Sequence, residues 1–272
     1  METAYRYRII SYEGDTRNRM RIALLLSGQP RFVKEVAPII LANVIGEYNV
    51  DTFCHFWFDD KLQSEPYKYG ECNKGEWHKQ RISADAIDEA IEAYHPVELV
   101  TEPSKSFTDS TVPFEESLNR YWYGAKEDPD PDNFRRTNIN NCLSYFYSLN
   151  EVNKLKKVYE YANDFKYDWV VRCRTDSMIH TKIPYEKLNP SVINFSHMQG
   201  QPDGMINDWF DFAGSKEMDA FMSVFPVWQL ILEKCLRENN GAYCHELMHR
   251  KMVDSFGIGI QGHPIHITLP RF

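Results

Sequence analysis

The sequence lacks any long apolar run. No stretch approaches the ~20 consecutive apolar residues that a membrane-spanning helix needs. The longest candidate, residues 36–45, is short and is broken by Pro38 and Asn43. The first 19 residues are polar and contain Glu2 and Glu13, which is wrong for a signal peptide. We therefore expect a soluble, cytoplasmic protein with no membrane span.

Cysteine is sparse and basic charge is in deficit. The six cysteines are scattered over 272 residues, and several lie in apolar contexts. This favours free buried thiols over a disulfide framework. The 31 basic and 39 acidic residues give a formal net charge of −8. Because nucleic-acid binders usually show the opposite balance, no nucleic-acid partner is expected. A few placed arginines can still bind a small phosphate ligand.

What the sequence has in excess is aromatic side chains. Hydrophobic residues make up 43% and charged residues 26%, which is ordinary for a folded globular protein. Aromatic residues reach 14%. Such side chains can fill a core, or they can line a cleft that stacks on flat ligands such as bases and sugar rings. The composition leaves both interpretations open.

The order of apolar segments predicts an α/β fold. The run at residues 21–26 is nearly continuous and ends at a Ser-Gly-Gln-Pro turn, as a buried parallel strand does. Further strands are expected at 51–58, 97–100, 169–173, 192–195 and 209–213, with a last one at 258–260 or 265–269. Helices are expected at about 31–48, 84–94, 139–162, 227–236 and 242–255, with another from 216 onward. This alternation predicts a Rossmann-like, mostly parallel central sheet flanked by helices. We expect an N-terminal extension at 1–19 and a single domain at 20–272.

Two polar segments follow predicted strands. Ligands in such sheets lie beyond the carboxyl ends of the strands. Ser27 to Arg31 follows the first strand, and Arg174 to Asp176 follows the strand at 169–173. A carboxylate at Asp176 suits Mg²⁺ or Mn²⁺, and a neighbouring guanidinium suits phosphate. The alternative is a structural ion pair between Arg174 and Asp176.

Four segments carry a family resemblance. They are residues 25–32 (LLSGQPRF), 51–57 (DTFCHFW), 141–148 (NCLSYFYS) and 167–176 (YDWVVRCRTD). In this order they resemble the small GT-A-type glycosyltransferases of large DNA viruses, phages and bacterial surface-polysaccharide clusters. The resemblance implies a nucleotide-sugar donor, Mn²⁺ or Mg²⁺, and hexosyl or deoxyhexosyl transfer to a hydroxyl of a glycan or glycoprotein. It also implies a donor half at about 20–180 and an acceptor half at about 181–272.

The resemblance also assigns roles to particular residues. The predicted nucleotide-sugar site consists of Ser27, Gly28, Gln29, Arg31, Ser144, Tyr147, Ser148, Arg174 and Asp176. Asp176 and His263 are the predicted metal ligands. Asp208 is the preferred general base and Asp211 the reserve, because both lie on the predicted acceptor-side strand. The sequence departs from this family at one motif: where the family usually has Asp-x-Asp, this chain has Arg174-Thr175-Asp176.

Two rival functions remain at this point. His245-Glu246-Leu-Met-His249 is a literal His-Glu-x-x-His, which on a helix can bind Zn²⁺ for peptide hydrolysis. Charged residues follow the second histidine, and no glycine-spaced third histidine is present. The other rival is a protein that binds sugar nucleotides or glycans without turnover. The arginine at the first position of the Asp-x-Asp motif favours it.

Overall fold

The computed structural model describes residues 5–8, 20–64, 81–107, 131–197, 205–239 and 243–270. Three short helical turns carry no number: Leu41–Ile45, Tyr185–Lys187 and Phe225–Val227. The strands are β1 Tyr5–Arg8, β2 Arg21–Gly28, β3 Asn49–Trp57, β4 Glu98–Glu102, β5 Trp169–Cys173, β6 Met178–Ile179, β7 Val192–Ser196, β8 Phe210–Ala213, β9 Gly259–His263 and β10 Ile267–Thr268. The helices are α1 Val33–Ile40, α2 Asp60–Ser64, α3 Ala86–Tyr94, α4 Pro131–Ala162, α5 Ser215–Phe221, α6 Trp228–Glu238 and α7 His245–Ser255.

Eight strands form one mixed sheet in the order β1-β4-β3-β2-β5-β8-β7-β9. The neighbours β4, β3, β2 and β5 run parallel, as do β7 and β9. Strand β8 is antiparallel to β5 and β7, and β1 is antiparallel to β4. The predicted α/β fold with a mostly parallel central sheet is confirmed. Part of the predicted N-terminal extension, Tyr5–Arg8, adds an edge strand to this sheet.

The central strand β2 is buried on both faces. Its odd residues Ala23 and Leu25 pack with α4 and the C-terminal helices, whereas its even residues Leu24 and Leu26 pack with α1 and α3. Successive side chains of a strand point to opposite faces, so a strand covered on both sides needs apolar residues throughout. This explains the unbroken apolar run at residues 21–26.

Two further expectations concern membranes and thiols. Among the described residues, no helix combines the length and apolarity that crossing a membrane requires. The five described cysteines are free, and four of them are buried. This confirms the prediction of free thiols for those five positions.

Candidate functional site

The turn after β2 and the end of β5 are joined by Thr175. Its hydroxyl accepts a hydrogen bond from the Arg31 backbone N–H at 3.1 Å and donates one to the Gln29 carbonyl at 2.8 Å. Since β2 and β5 are neighbouring parallel strands, their carboxyl ends meet at the same edge. The two segments singled out from the sequence therefore form one site.

Gly28 lies at the open side of this turn. Its φ is +104°, which residues with a side chain rarely adopt. A Cβ atom added to Gly28 would meet no atom within 4 Å. Its backbone N–H donates to the Ser148 hydroxyl of α4 at 3.0 Å. Helix α4 thus fixes a turn that has open space beside Gly28.

Four charged side chains meet beside the turn. Arg174 and Asp176 form a bidentate ion pair, in which Nε donates to Oδ1 at 2.8 Å and Nη2 donates to Oδ2 at 2.9 Å. The third guanidinium nitrogen of Arg174, Nη1, lies 3.3 Å from Asp208 Oδ2. Arg31 Nη1 lies 3.9 Å from Asp176 Oδ2. The Asp176 side chain is only 4% exposed, whereas that of Arg174 is 25% exposed. The arginine is therefore the more accessible member of the pair.

The two predicted metal ligands do not form a metal centre here. Among the described residues, no group of three or more His, Cys, Asp or Glu side chains is arranged to hold a cation. Both carboxylate oxygens of Asp176 accept from Arg174. His263 Nε2 lies 2.8 Å from Asn194 Oδ1, and its ring stacks on Phe212. These residues therefore do not fit a protein-held divalent cation.

The two predicted bases differ in their surroundings. Asp208 keeps a partly exposed carboxylate beside Arg174. Asp211 is fully buried in β8, where its Oδ2 lies 2.7 Å from Arg172 Nη2. Burial raises the pKa of Asp211 to about 7, with Arg172 opposing the rise. Asp211 contacts an internal arginine, so Asp208 is the more accessible of the two predicted bases.

The second histidine of the His-Glu-x-x-His segment lies in the core, and the first is partly buried beside it. His249 is fully buried on α7, its Nε2 is 3.0 Å from the Tyr145 hydroxyl, and its ring stacks on Phe221 at 4.0 Å. Burial lowers the pKa of His249 well below its usual value. The His245 ring packs edge-on against Tyr145 at 4.9 Å. An open catalytic zinc needs three protein ligands, and this geometry supplies core packing instead. This geometry therefore does not support the alternative of a zinc peptidase.

The predicted residues of α4 face two different surroundings. Ser148 is buried between the Gly28 amide and His55, whose Nδ1 lies 2.8 Å from its hydroxyl. Tyr147 stacks on Trp57, with ring centroids 5.4 Å apart. Ser144 is partly exposed one turn before Ser148 on the same helix. Part of this face of α4 therefore packs against other aromatic rings, while Ser148 directly supports the turn.

Sequence reasoning missed a charged group at the ends of β3 and β4. Glu102 Oε2 lies 2.5 Å from Lys105 Nζ, 3.1 Å from the Tyr147 hydroxyl and 3.8 Å from His55 Nε2. The signal was present, because Glu102 and His55 fall at the same carboxyl edge as Gly28. An acid and a histidine ending adjacent parallel strands could have been noted as neighbours of the turn.

Glu102 should make the stability of the protein sensitive to acid. His55 and Lys105 lower its pKa from 4.5 to about 2. A depressed pKa contributes stability that is present above the unfolded value and lost as pH falls through the folded value. We expect Glu102→Gln to cost roughly 1.5–3 kcal/mol at neutral pH, the range for hydrogen bonds to charged groups. We also expect the difference from wild type to vanish between about pH 4.5 and 2. Urea unfolding across this range measures it, and a pH-independent difference would contradict the assignment.

Comparison with known proteins gives a fold-level likeness only. No protein-family model and no curated protein matches the sequence significantly. Among solved structures, the chain is similar to mouse xyloside xylosyltransferase 1 in its apo form. The similarity covers 89% of this chain and 84% of that one, at 10% identity and a TM-score of 0.42. At that level, function has to be argued from the residues of the chain itself.

Proposed function

We propose that the protein is a glycosyltransferase that moves a sugar from a nucleotide-sugar donor to a hydroxyl acceptor. The observation that carries this proposal is the meeting of Arg31 and Arg174 at the carboxyl ends of adjacent parallel strands, beside the open glycine turn at Gly28. A donor of this class carries a diphosphate between a flat nucleoside and a sugar. Guanidinium groups recognise phosphate, and an open glycine turn lets a ribose or base approach the backbone.

The arginines would act on the leaving group. Transfer breaks the bond between the anomeric carbon and the diphosphate oxygen, so negative charge grows on the nucleoside diphosphate. Arg31 and Arg174 are preorganised by Asp176, and fixed cations aimed at developing charge stabilise the transition state. Ser27, Gln29, Ser144, Tyr147 and Ser148 complete the donor side in this proposal. Ser148 acts indirectly, by holding the Gly28 amide.

Asp208 would act on the acceptor. Its partly exposed carboxylate is the more accessible of the two predicted bases, and Arg174 fixes its orientation. In an inverting transfer, Asp208 takes the hydroxyl proton as the acceptor oxygen bonds to the anomeric carbon and the diphosphate departs. Asp211 instead serves as the counter-ion of Arg172 inside the sheet. Arg174 contacts the general base Asp208 and would also bind the diphosphate, so it links the two halves of the reaction.

A panel of nucleoside diphosphates tests the donor side. Thermal unfolding of the protein is measured with uridine, guanosine, cytidine and adenosine diphosphates, in buffer containing Mg²⁺ and Mn²⁺. At about 100-fold excess over Kd, a bound ligand stabilises the folded state by ~2.7 kcal/mol. We expect one diphosphate to raise the Tm, and we expect Arg174→Ala to remove half or more of that rise. Arg237→Ala, which removes an exposed charge elsewhere, is the matched control.

The same panel separates the rival functions. If no diphosphate raises the Tm in any buffer, the donor site is absent and the proposal fails. Binding without turnover on a broad set of hydroxyl acceptors would identify a sugar-nucleotide binding protein. Stabilisation by Zn²⁺ alone, lost in His245→Ala, would revive the peptidase interpretation against the packing seen here.

A further inference from the structure

The acid that a transferase of this kind would offer to a metal is already engaged by arginine. Asp176 is nearly buried, and Arg174 binds both of its oxygens in a fork-to-fork pair. Arg31 approaches the same carboxylate from the turn after β2. The position where a second acid would stand is occupied by Arg174 itself. Two cations, Arg31 and Arg174, are therefore paired with the carboxylates of Asp176 and Asp208 at the place where the diphosphate would lie.

A divalent cation would meet two obstacles at this place. Hard cations bind through carboxylate oxygens, so Asp176 would have to break its bidentate pair with Arg174. The cation would also lie within a few ångströms of two guanidinium groups, and like charges at such distances repel strongly where water is scarce. A diphosphate meets neither obstacle, because its oxygens accept hydrogen bonds from guanidinium groups.

We propose that this site binds the diphosphate of its donor through Arg31 and Arg174 without a protein-held divalent cation, and that Asp176 is a positioning residue for Arg174. This inference rests on the proposed function. Asp176 holds one edge of the Arg174 guanidinium through two short hydrogen bonds. The contact between Arg174 and Asp208 is longer, at 3.3 Å, and an incoming phosphate oxygen replaces it. Donor binding then loosens the hold of Arg174 on Asp208, so that the base turns to the acceptor hydroxyl.

Calorimetric titration with nucleoside diphosphates tests the inference. Metal-depleted protein in excess EDTA is compared with the same protein in excess Mn²⁺, using uridine, guanosine, cytidine and adenosine diphosphates in turn. We expect the best of the four to bind with the same Kd in both buffers. Arg174→Ala should weaken that binding roughly 10–100-fold in both, as expected for the loss of charged hydrogen bonds worth ~1.5–3 kcal/mol. Arg237→Ala should not change it.

Two substitutions distinguish a positioning carboxylate from a metal ligand. Asp176→Asn keeps the shape of the side chain but removes its charge, so it should weaken binding in EDTA as well as in Mn²⁺. Arg174→Asp introduces the second acid, and it should abolish binding in EDTA while making any remaining binding depend on Mn²⁺. Thermal unfolding without ligand shows whether each variant is folded.

The outcomes separate this inference from the proposed function. Binding by wild type only in Mn²⁺, lost in Asp176→Asn, would overturn the inference and leave the transferase proposal intact. An Asp176→Asn protein with wild-type affinity in EDTA would overturn the positioning role. Failure of all four diphosphates to bind in either buffer would overturn both proposals together.

Discussion

Asp208→Asn is expected to lower the rate of glycosyl transfer by about 10²–10⁴-fold, the usual contribution of a general base. The amide keeps the size of the carboxylate, and its carbonyl can still accept from Arg174, so the site keeps its geometry. What is lost is the ability to take a proton from the acceptor hydroxyl. Because the neutral amide competes less with phosphate for Arg174, the nucleoside diphosphate should bind at least as tightly as it does to wild type. The measurement is release of the nucleoside diphosphate from the matching donor over a panel of hydroxyl acceptors.

The control for Asp208→Asn is an equivalent substitution away from the site. Asp164 is exposed and has a φ of +52°, a conformation that asparagine tolerates well. Asp164→Asn should leave both rate and affinity unchanged. An Asp208→Asn protein that keeps most of its rate would show that Asp208 serves only as a partner of Arg174. Retention of the anomeric configuration in the product would equally contradict a single-displacement role for this base.

The central strands were predictable because their signal is local. Strand β2 is covered on both faces, so its apolar run is unbroken, and a glycine turn follows it directly. The start of α4 was harder to predict. Its apolar periodicity begins at about Ile139, whereas the helix begins at Pro131. Proline is well suited to the first position of a helix, where its missing N–H is not needed. The eight residues 131–138 carry no periodic apolar signal.

The site was predictable in part, for the same reason. The turn at Gly28 and the segment ending at Asp176 each follow a recognisable strand, and parallel pairing brings them together. The bidentate pairing of Arg174 with Asp176 was weighed as an alternative, because the residues lie two apart on one side of the chain. The proposal that the diphosphate binds without a protein-held cation also depends on Arg31, which lies more than 140 residues away from Arg174. Local pattern does not specify such a contact.

The burial of Asp211 depends on strand register. Arg172 of β5 stands directly opposite Asp211 of the antiparallel strand β8. Cross-strand partners are set by the pairing of whole strands, so a sequence pattern around Asp211 does not reveal its arginine. The same holds for His249, whose hydroxyl partner Tyr145 lies on another helix. A sequence pattern contains only the chain neighbours of Asp211 and His249, so it suggests a catalytic base and a zinc ligand.

Arg172→Met is expected to destabilise the protein by about 3–5 kcal/mol, because Asp211 must then either stay buried as an unpaired charge or take up a proton. Arg172 is fully buried, pairs with Asp211, and also donates to the Tyr145 hydroxyl and the Asp208 carbonyl. Urea unfolding at neutral pH measures the loss. Arg237→Met, at an exposed position, is the matched control and should change stability little.

The pH dependence of the Arg172→Met effect identifies its cause. Burial already raises the pKa of Asp211, and loss of the arginine removes the opposing influence. A raised folded pKa gives stability that is full below the unfolded value of 3.8 and is lost as pH rises through the folded value. The stability of the variant should therefore be closest to that of wild type in acid and furthest from it above about pH 7.

Adding Asp211→Leu to Arg172→Met removes the stranded carboxyl, and it should restore much of the stability because apolar replacement of a buried pair is often neutral. A double variant as unstable as Arg172→Met would instead assign the loss to the Tyr145 and Asp208 contacts.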